Sequence, residues 1–202
     1  MIIKKEDIEN FETRYRTTLI NSLAGFRQAV LVGTKSTEGH TNLAIFNSLI
    51  HLGSFPACFG LVSRPDKVPR DTLQNILDTK EYTLNYVSSA YYQKAHQTSA
   101  RYAKDVSEFE EAGFDEMYEA NIYPPFVKEG VVKIAMKFEE TIPIRLNGTI
   151  LIIGSVQHIH INETLIEEDG FVSLSDADIL ISQGLDAYYI SKKVGRLPYA
   201  KP

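Results

Sequence analysis

The stretch that most limits how this chain can fold is 131–162, "VVKIAMKFEETIPIRLNGTILIIGSVQHIHIN". Aliphatic and β-branched residues dominate both halves, which suits a pleated, half-buried surface. Between them, Asn147-Gly148 is the dipeptide that turns a chain back on itself, because both residues tolerate positive φ. Pro143, which cannot donate to a strand ladder, punctuates the first half. The stretch predicts two or three long antiparallel strands. Strands of that length leave exposed edges unless the sheet closes on itself or is covered, so a barrel is favoured over an open sandwich.

Shorter strand-like runs precede it. "AVLVGT" (29–34), "LAIFNSLIHLG" (43–53) and "CFGLVS" (58–63) are joined by short turns such as "EGHTN" (38–42), which predicts an antiparallel meander rather than βαβ units. "EYTLNYV" (81–87) alternates as a strand does, and "DAYYIS" (186–191) reads as a last one. Helical spacing of Ile8, Phe11, Tyr15, Leu19 and Leu23 predicts one N-terminal helix, capped by Asp7 and stopped by Gly25. A second helix is expected over 71–79, with Asp71 or Thr72 as N-cap and Leu73, Ile76 and Leu77 on its buried side. Residues 89–128 are polar and read as a helical insertion rather than core, and "SDADILISQ" predicts one more short helix. The expected architecture is mainly β: a Greek-key-like antiparallel barrel with inserted helices, in one domain spanning 1–202.

At 202 residues and 44% hydrophobic, the chain can bury one substantial core. Its net charge of −5, with scattered basic residues, argues against a nucleic-acid partner. The single cysteine, Cys58, lies in the apolar run "ACFGLV" and reads as a small core residue rather than a nucleophile. The N-terminus lacks the apolar core of a signal peptide, and no run approaches the ~20 apolar residues of a membrane span. These features predict a soluble, cytoplasmic protein without a membrane partner.

Several chemistries find no support. His158 and His160 would share one face of a strand, but no third ligand has recognisable spacing, so no metal is assigned. No nucleophile elbow singles out a serine. Gly25, Gly33 and Gly39 do not form a dinucleotide fingerprint.

Three polar stretches remain. In "SRPDKVPRDTLQNI" (63–76), a turn stiffened by Pro65 and Pro69 presents Arg64 and Arg70 near the first turn of a helix, with Thr72 adding a hydroxyl. Such a helix start attracts anions, whereas Asp71 as a cap would occupy the same donors, so a phosphate site and a solvated loop both remain open. In "TNLAIFNSLIHLG", Asn42, Asn47 and Ser48 interrupt an apolar segment and need hydrogen-bond partners, which a planar heterocycle or neighbouring strands could supply. In "HQTSARY" (96–102), polar side chains cluster beside aromatics where a helix stops.

Taken in order, "INSLAGFRQAVLVGT", "TNLAIFNSLIHLGSFPACFGLVSRPDKVPRDTLQNILDTKEYTLNYV", "AHQTSARY" and "NGTILIIGSVQHIHI" resemble the flavin reductase-like family of FMN-binding split barrels, over about residues 14–162. The terminal "GRLPYAKP" is similar to the end of one bacterial subgroup. The resemblance implies a homodimer holding FMN non-covalently near its interface, with NAD(P)H as electron donor and a small-molecule acceptor. It implies that Asn42, Ala44, Ile45, Phe46, Asn47 and Ser48 run along the flavin ring, largely through backbone groups. Ser63, Arg64, Arg70, Asp71 and Thr72 would hold the ribityl chain and phosphate. His96, Thr98, Ser99 and Arg101 would close over the flavin. Hydride chemistry belongs to the cofactor, so no catalytic side chain is assigned. A flavin-binding protein on the same scaffold, without efficient turnover, is the alternative.

Overall fold

The structure, a computed structural model, describes residues 1–64 and 71–201. Helices α1 (Lys5–Asn10) and α2 (Thr13–Leu23) lead into strands β1 (Arg27–Gln28), β2 (Val30–Lys35), β3 (Thr41–Phe46), β4 (Leu49–Ser54) and β5 (Ala57–Ser63). Helix α3 (Asp71–Thr79) and β6 (Glu81–Tyr86) follow. Next come α4 (Tyr92–Gln97), α5 (Glu108–Ala112), β7 (Glu116–Met117) and β8 (Phe126–Val127). The long strands β9 (Val132–Ile144) and β10 (Thr149–Ile161) then precede β11 (Ile181–Gln183) and β12 (Ala187–Tyr189).

Seven strands form one antiparallel sheet in the order β3-β2-β6-β9-β10-β5-β4. Its two edges, β3 and β4, are consecutive in the chain and separated only by Asn47 and Ser48. Three Cα steps reach at most about 11 Å, so strands at opposite ends of the order must lie close together. The sheet therefore curls into a barrel with a seam between β3 and β4. The mainly β, split-barrel expectation holds.

The β9–β10 hairpin is the spine of this barrel. β6 pairs with β9 only over residues 132–137, and β5 pairs with β10 only over residues 150–155. Each long strand thus has one half that lacks a second partner. Pro143 sits on the unpaired half of β9, opposite Ile150, where its missing N–H costs no ladder bond. The turn is longer than a two-residue loop. Residues 145–148 connect Ile144 to Thr149, Gly148 adopts φ +74°, and the Asn147 carboxamide accepts from the Thr149 amide at 3.0 Å. Two register shifts, one leaving Glu139 unpaired and one leaving Gln157 unpaired, offset each other along the ladder.

Inside the barrel, Val30, Val32, Leu61, Ile76, Leu84, Met136 and Ile152 form the main core, each essentially fully buried. α3 plugs it through Leu73 and Ile76 while Leu77 packs at its margin, as its spacing predicts. A second core lies on the outer face of β2 and β3, where Leu31 and Leu43 meet Ala95, Phe109, Ala112, Phe114 and Val127. Residues 89–128 therefore contribute core as well as surface, which corrects the expectation of a polar helical insertion. They contain the β7–β8 ladder besides two short helices and one 3₁₀ turn. Their polar composition reflects one-sided burial. Two buried residues of β6 fasten this layer: the Thr83 hydroxyl donates to Pro125 O at 2.8 Å, and the Asn85 carboxamide accepts from the Val127 amide at 2.9 Å.

The N-terminal helix departs from expectation by breaking in two. Phe11 turns extended and the Glu12 carboxylate accepts from the Tyr15 amide at 3.0 Å, starting α2 afresh, while Asp7 sits inside α1 and accepts from the Lys4 amide. Neither helix has a fully buried residue to hold them in one rod. Gly25, at φ +77°, ends the segment as expected. The predicted "SDADILISQ" helix shrinks to a 3₁₀ turn, Leu174–Ala177, because Asp178 turns left-handed and Ile181–Gln183 pairs as β11 with β1. Cys58 is half-buried on β5.

Gly154 is demanded by close approach. A Cβ there would lie 2.2 Å from the Tyr82 hydroxyl and 2.9 Å from the Lys137 carbonyl, and Tyr82 is 1% exposed. Gly154→Ala is expected to cost about 1–3 kcal/mol through overpacking. Urea unfolding should show a lower midpoint with an unchanged slope. An unaltered midpoint would refute the packing argument.

Candidate functional site

β3 is the edge that borders the seam, and its alternation divides its residues. Phe46 packs on the barrel core, whereas Leu43 and Ile45 face the outer layer. The Leu43 amide donates not to β2 but to the Glu108 carboxylate, at 3.0 Å. Ile45 has the same parity in the β2 ladder, so its N–H and C=O also face away from β2, toward the open edge. Ala44, opposite Val32, is half-buried between them. A strand edge with backbone donors and acceptors beside a seam can read the rim of a flat polar ring.

The polar residues of this segment have protein partners. Asn42 donates to the Thr72 hydroxyl at 2.9 Å and to the Thr34 hydroxyl at 3.3 Å, and Asn75 donates to the same Thr34 oxygen at 3.1 Å. All four are buried, so this network ties β2 and β3 to α3 inside the barrel. Asn47 donates to the Gly184 carbonyl at 3.0 Å in the β11–β12 turn. The Ser48 hydroxyl donates to the Val62 carbonyl at 3.0 Å and accepts from the Val62 amide at 3.1 Å, stitching the seam junction to β5. Neighbouring strands, and not only a ligand, answer the need that these residues pose.

At the neighbouring strand end, Ser63 is 2% exposed, and among the described residues its hydroxyl reaches only the Arg64 carbonyl, at a weak 3.5 Å. Arg64 itself is exposed. Arg70 lies outside the described residues. Asp71 is the first residue of α3 rather than the residue ahead of it, and among the described residues its carboxylate makes no capping bond. Thr72 places its hydroxyl in the first turn, where amides lack helical acceptors. Glu108 stands near this end: burial pushes its carboxyl up, its bond from Leu43 opposes this, and the Asp71 charge adds to the rise. No sequence signal marks Glu108, because its partner lies 65 residues earlier.

The third stretch divides. Thr98 is buried and its hydroxyl donates to the Ala95 carbonyl at 2.8 Å, ending α4. His96, Ser99 and Arg101 are exposed, and His96 Nδ1 pairs with the Tyr188 hydroxyl at 2.9 Å. Thr98 thus serves its own helix, while the other three face solvent. His158 and His160 share one face of β10 as expected, and both meet Glu119, a third side chain that sequence spacing did not reveal. Two clefts are notable: one of about 480 Å³ between α2 and the β11–β12 turn, and one of about 370 Å³ beside β6 and β10. None of the described residues that the resemblance assigns to flavin lines either.

The chain belongs to the flavin reductase-like family: residues 24–189 match the family described as flavin reductase like domain. It is similar over 99% of its length to all of a split-barrel protein from Shewanella frigidimarina NCIMB 400, assigned provisionally as a flavin reductase, with 44% identity and a TM-score of 0.95. Nitrilotriacetate monooxygenase component B from Bacillus cereus has the same fold, at 20% identity and TM-score 0.85 over 98% of each chain. So does an FMN-binding protein from Thermus thermophilus, at 15% identity and TM-score 0.72 over 88% of this chain and 93% of that one. Among the described residues, no helix is long and apolar enough to cross a membrane.

Two measurements test this local chemistry. Asn42→Ala should cost about 1–3 kcal/mol of stability by leaving buried hydroxyls short of a partner, read from denaturant midpoints. For Glu108, a folded-state pKa raised above the ordinary 4.5 means that its stabilising contribution is complete below the unfolded value and lost as pH rises through the folded one. Glu108→Gln keeps an acceptor for Leu43, so it should raise the melting temperature at pH 7. That gain should disappear as pH falls below about 4. A gain independent of pH would contradict the assignment.

Proposed function

We propose that this chain is an FMN-containing oxidoreductase that uses NAD(P)H and passes hydride through its bound flavin to a small-molecule acceptor. The observation that carries the reading is the edge of β3 at Ile45, whose backbone groups face away from β2, together with the buried hydroxyls of Ser63 at the end of β5 and Thr72 at the start of α3. A planar ring would lie along the edge and hydrogen-bond its backbone groups. A ribityl chain would pass Ser63, and a phosphate would reach Thr72 at the start of α3 and Arg64 beside it. One hydroxyl-bearing helix start suits a single phosphomonoester better than a dinucleotide. Arg70 belongs to the same proposal through the resemblance alone. His96, whose Nδ1 pairs with the Tyr188 hydroxyl, Ser99 and Arg101 stand exposed, and they would meet the ring or the nicotinamide.

Flavin supplies the hydride-accepting centre when bound, while the residues hold it, orient it and control access of water. Asp71 and Glu108 place negative charge near the helix start, so they oppose a phosphate and favour a binding mode in which Thr72 and the arginines carry the contact. β4 presents Ile50 and Leu52 as exposed apolar side chains that a second copy would cover, in keeping with the homodimer, flavin near its interface, that the resemblance implies. We place the protein in the cytoplasm, in keeping with one free, half-buried cysteine.

The first test is the visible spectrum of protein purified without added flavin. Flavin absorbance, or FMN uptake on titration, is expected; neither would sink the proposal. Anaerobic NADH or NADPH should bleach that spectrum at a useful rate. A holoprotein that neither donor bleaches is a flavin carrier rather than a reductase. Thr72→Val should weaken FMN by roughly tenfold while changing riboflavin little, since a charged hydrogen bond is worth about 1.5–3 kcal/mol. Equal losses for both ligands would remove Thr72 from the phosphate site.

A further inference from the structure

We propose that Glu119, His158 and His160 form a site for a divalent first-row transition metal, with zinc as the cation that its donor set suits. The site shares no residue with the flavin reading and stands independently of it.

The strand sets the first two ligands. β5 leaves β10 after Ser155, so residues 156–161 have β9 on one side and, among the described residues, no strand on the other. Gln157 is the unpaired residue of a bulge, and immediately after it His158 and His160 alternate onto one face, opposite Ala135 and Lys133. Bulges re-aim side chains at strand margins, and here they deliver two imidazoles side by side, 5.1 Å apart between centroids. The third ligand comes from a different layer. Glu119 lies in a turn that closes from the Ile122 amide to the Glu119 carbonyl at 3.3 Å and passes through Asn121 at φ +69°.

All three donors converge. His158 Nε2 is 3.1 Å and His160 Nε2 2.5 Å from the same oxygen, Glu119 Oε2, and the ligand atoms lie within 4.8 Å of one another. A tetrahedral zinc about 2.0–2.2 Å from each donor needs donor separations of roughly 3.4 Å. The cluster reaches that by opening its tightest contact by about 1 Å, within the rotameric play of a half-exposed carboxylate. Without metal, both Nε2–H groups donate to the carboxylate; with metal, both imidazoles turn lone pairs inward and the carboxylate contributes its charge. Phe126, fully buried, packs against both rings at 5.3 and 6.1 Å and gives the site a dry wall. The opposite side is open: the three side chains are 35–38% exposed, and His158 borders the cleft shared with Glu81, Asn121 and Gln157.

Two nitrogens and one carboxylate oxygen suit a borderline cation rather than magnesium, which demands six oxygens. Three protein ligands leave a fourth position for water or an anion from the cleft. Bound metal would staple the turn at 118–122 onto the unpaired half of β10.

The test uses the untagged full-length chain after dialysis against a chelator, titrated calorimetrically with zinc and, separately, with magnesium. One zinc per chain is expected, with a dissociation constant below about 10 µM and no heat from magnesium. At a zinc concentration 100 times that constant, the melting temperature should rise by about 5 °C or more. Glu119→Gln, and His158→Gln with His160→Gln, should each weaken zinc at least about tenfold while retaining the wild-type circular dichroism. Should the histidine pair fail to fold, Glu119→Gln decides alone, since its side chain hangs from a surface turn. No zinc heat or melting shift up to about 1 mM overturns the proposal, as does undiminished binding in Glu119→Gln. Because the titration reads metal rather than turnover, it stands whether or not the protein carries flavin.

Discussion

The barrel depends on a link of two residues. Asn47 and Ser48 join strands that lie at opposite ends of a seven-stranded order, so they convert a sheet into a barrel. Both side chains are committed to holding that junction: Ser48 exchanges two hydrogen bonds with Val62, and Asn47 reaches across to Gly184. Although only two residues join them, β3 and β4 form no ladder with each other, so the closure leaves a seam. The candidate edge is thus a by-product of topology. It exists because the two end strands meet at this junction without pairing.

Fold and site compete for the same polar atoms. Asn42 and Thr72 look like ligand contacts in the sequence, yet in the structure they bond each other, and Asn42 shares the Thr34 hydroxyl with Asn75. This need not exclude a ligand role, since a hydroxyl that accepts from Asn42 keeps its own proton to donate. It does mean that hydrogen bonds within the protein already tie the candidate edge to α3. Substituting these residues then disturbs stability and binding together, and only a comparison of related ligands separates the two.

Much of the fold was legible because periodicity reports which side of an element is buried. The long strands of 131–162, the α3 stripe of Leu73 and Ile76, and the strand over 81–87 all followed from that signal. What escaped depends on contacts between distant residues. The break between α1 and α2 turns on one Glu12 carboxylate, and Glu108 and Glu119 meet partners 65 and 39–41 residues away. Residues 89–128 misled because none of their short elements buries more than two side chains, too few to register as an apolar stripe. The candidate site was legible as an ordered set of segments through its family resemblance. The partners of Asn42 and Ser48 and the open edge of Ile45 became visible only with the ladder registers.

The unpaired half of β9 carries a further lesson. Residues 139–144 offer a strand rim with no second strand beside it among the described residues, with apolar side chains at Ile142 and Ile144. Such a rim invites another chain to add itself on, the first step toward fibrous assembly. Pro143 interrupts that row of donors at its most apolar point, and Glu139 and Glu140 load the same rim with charge. One imino acid therefore acts as a guard against self-association, and the length of hairpin that the barrel needs is tolerable in solution partly because of it.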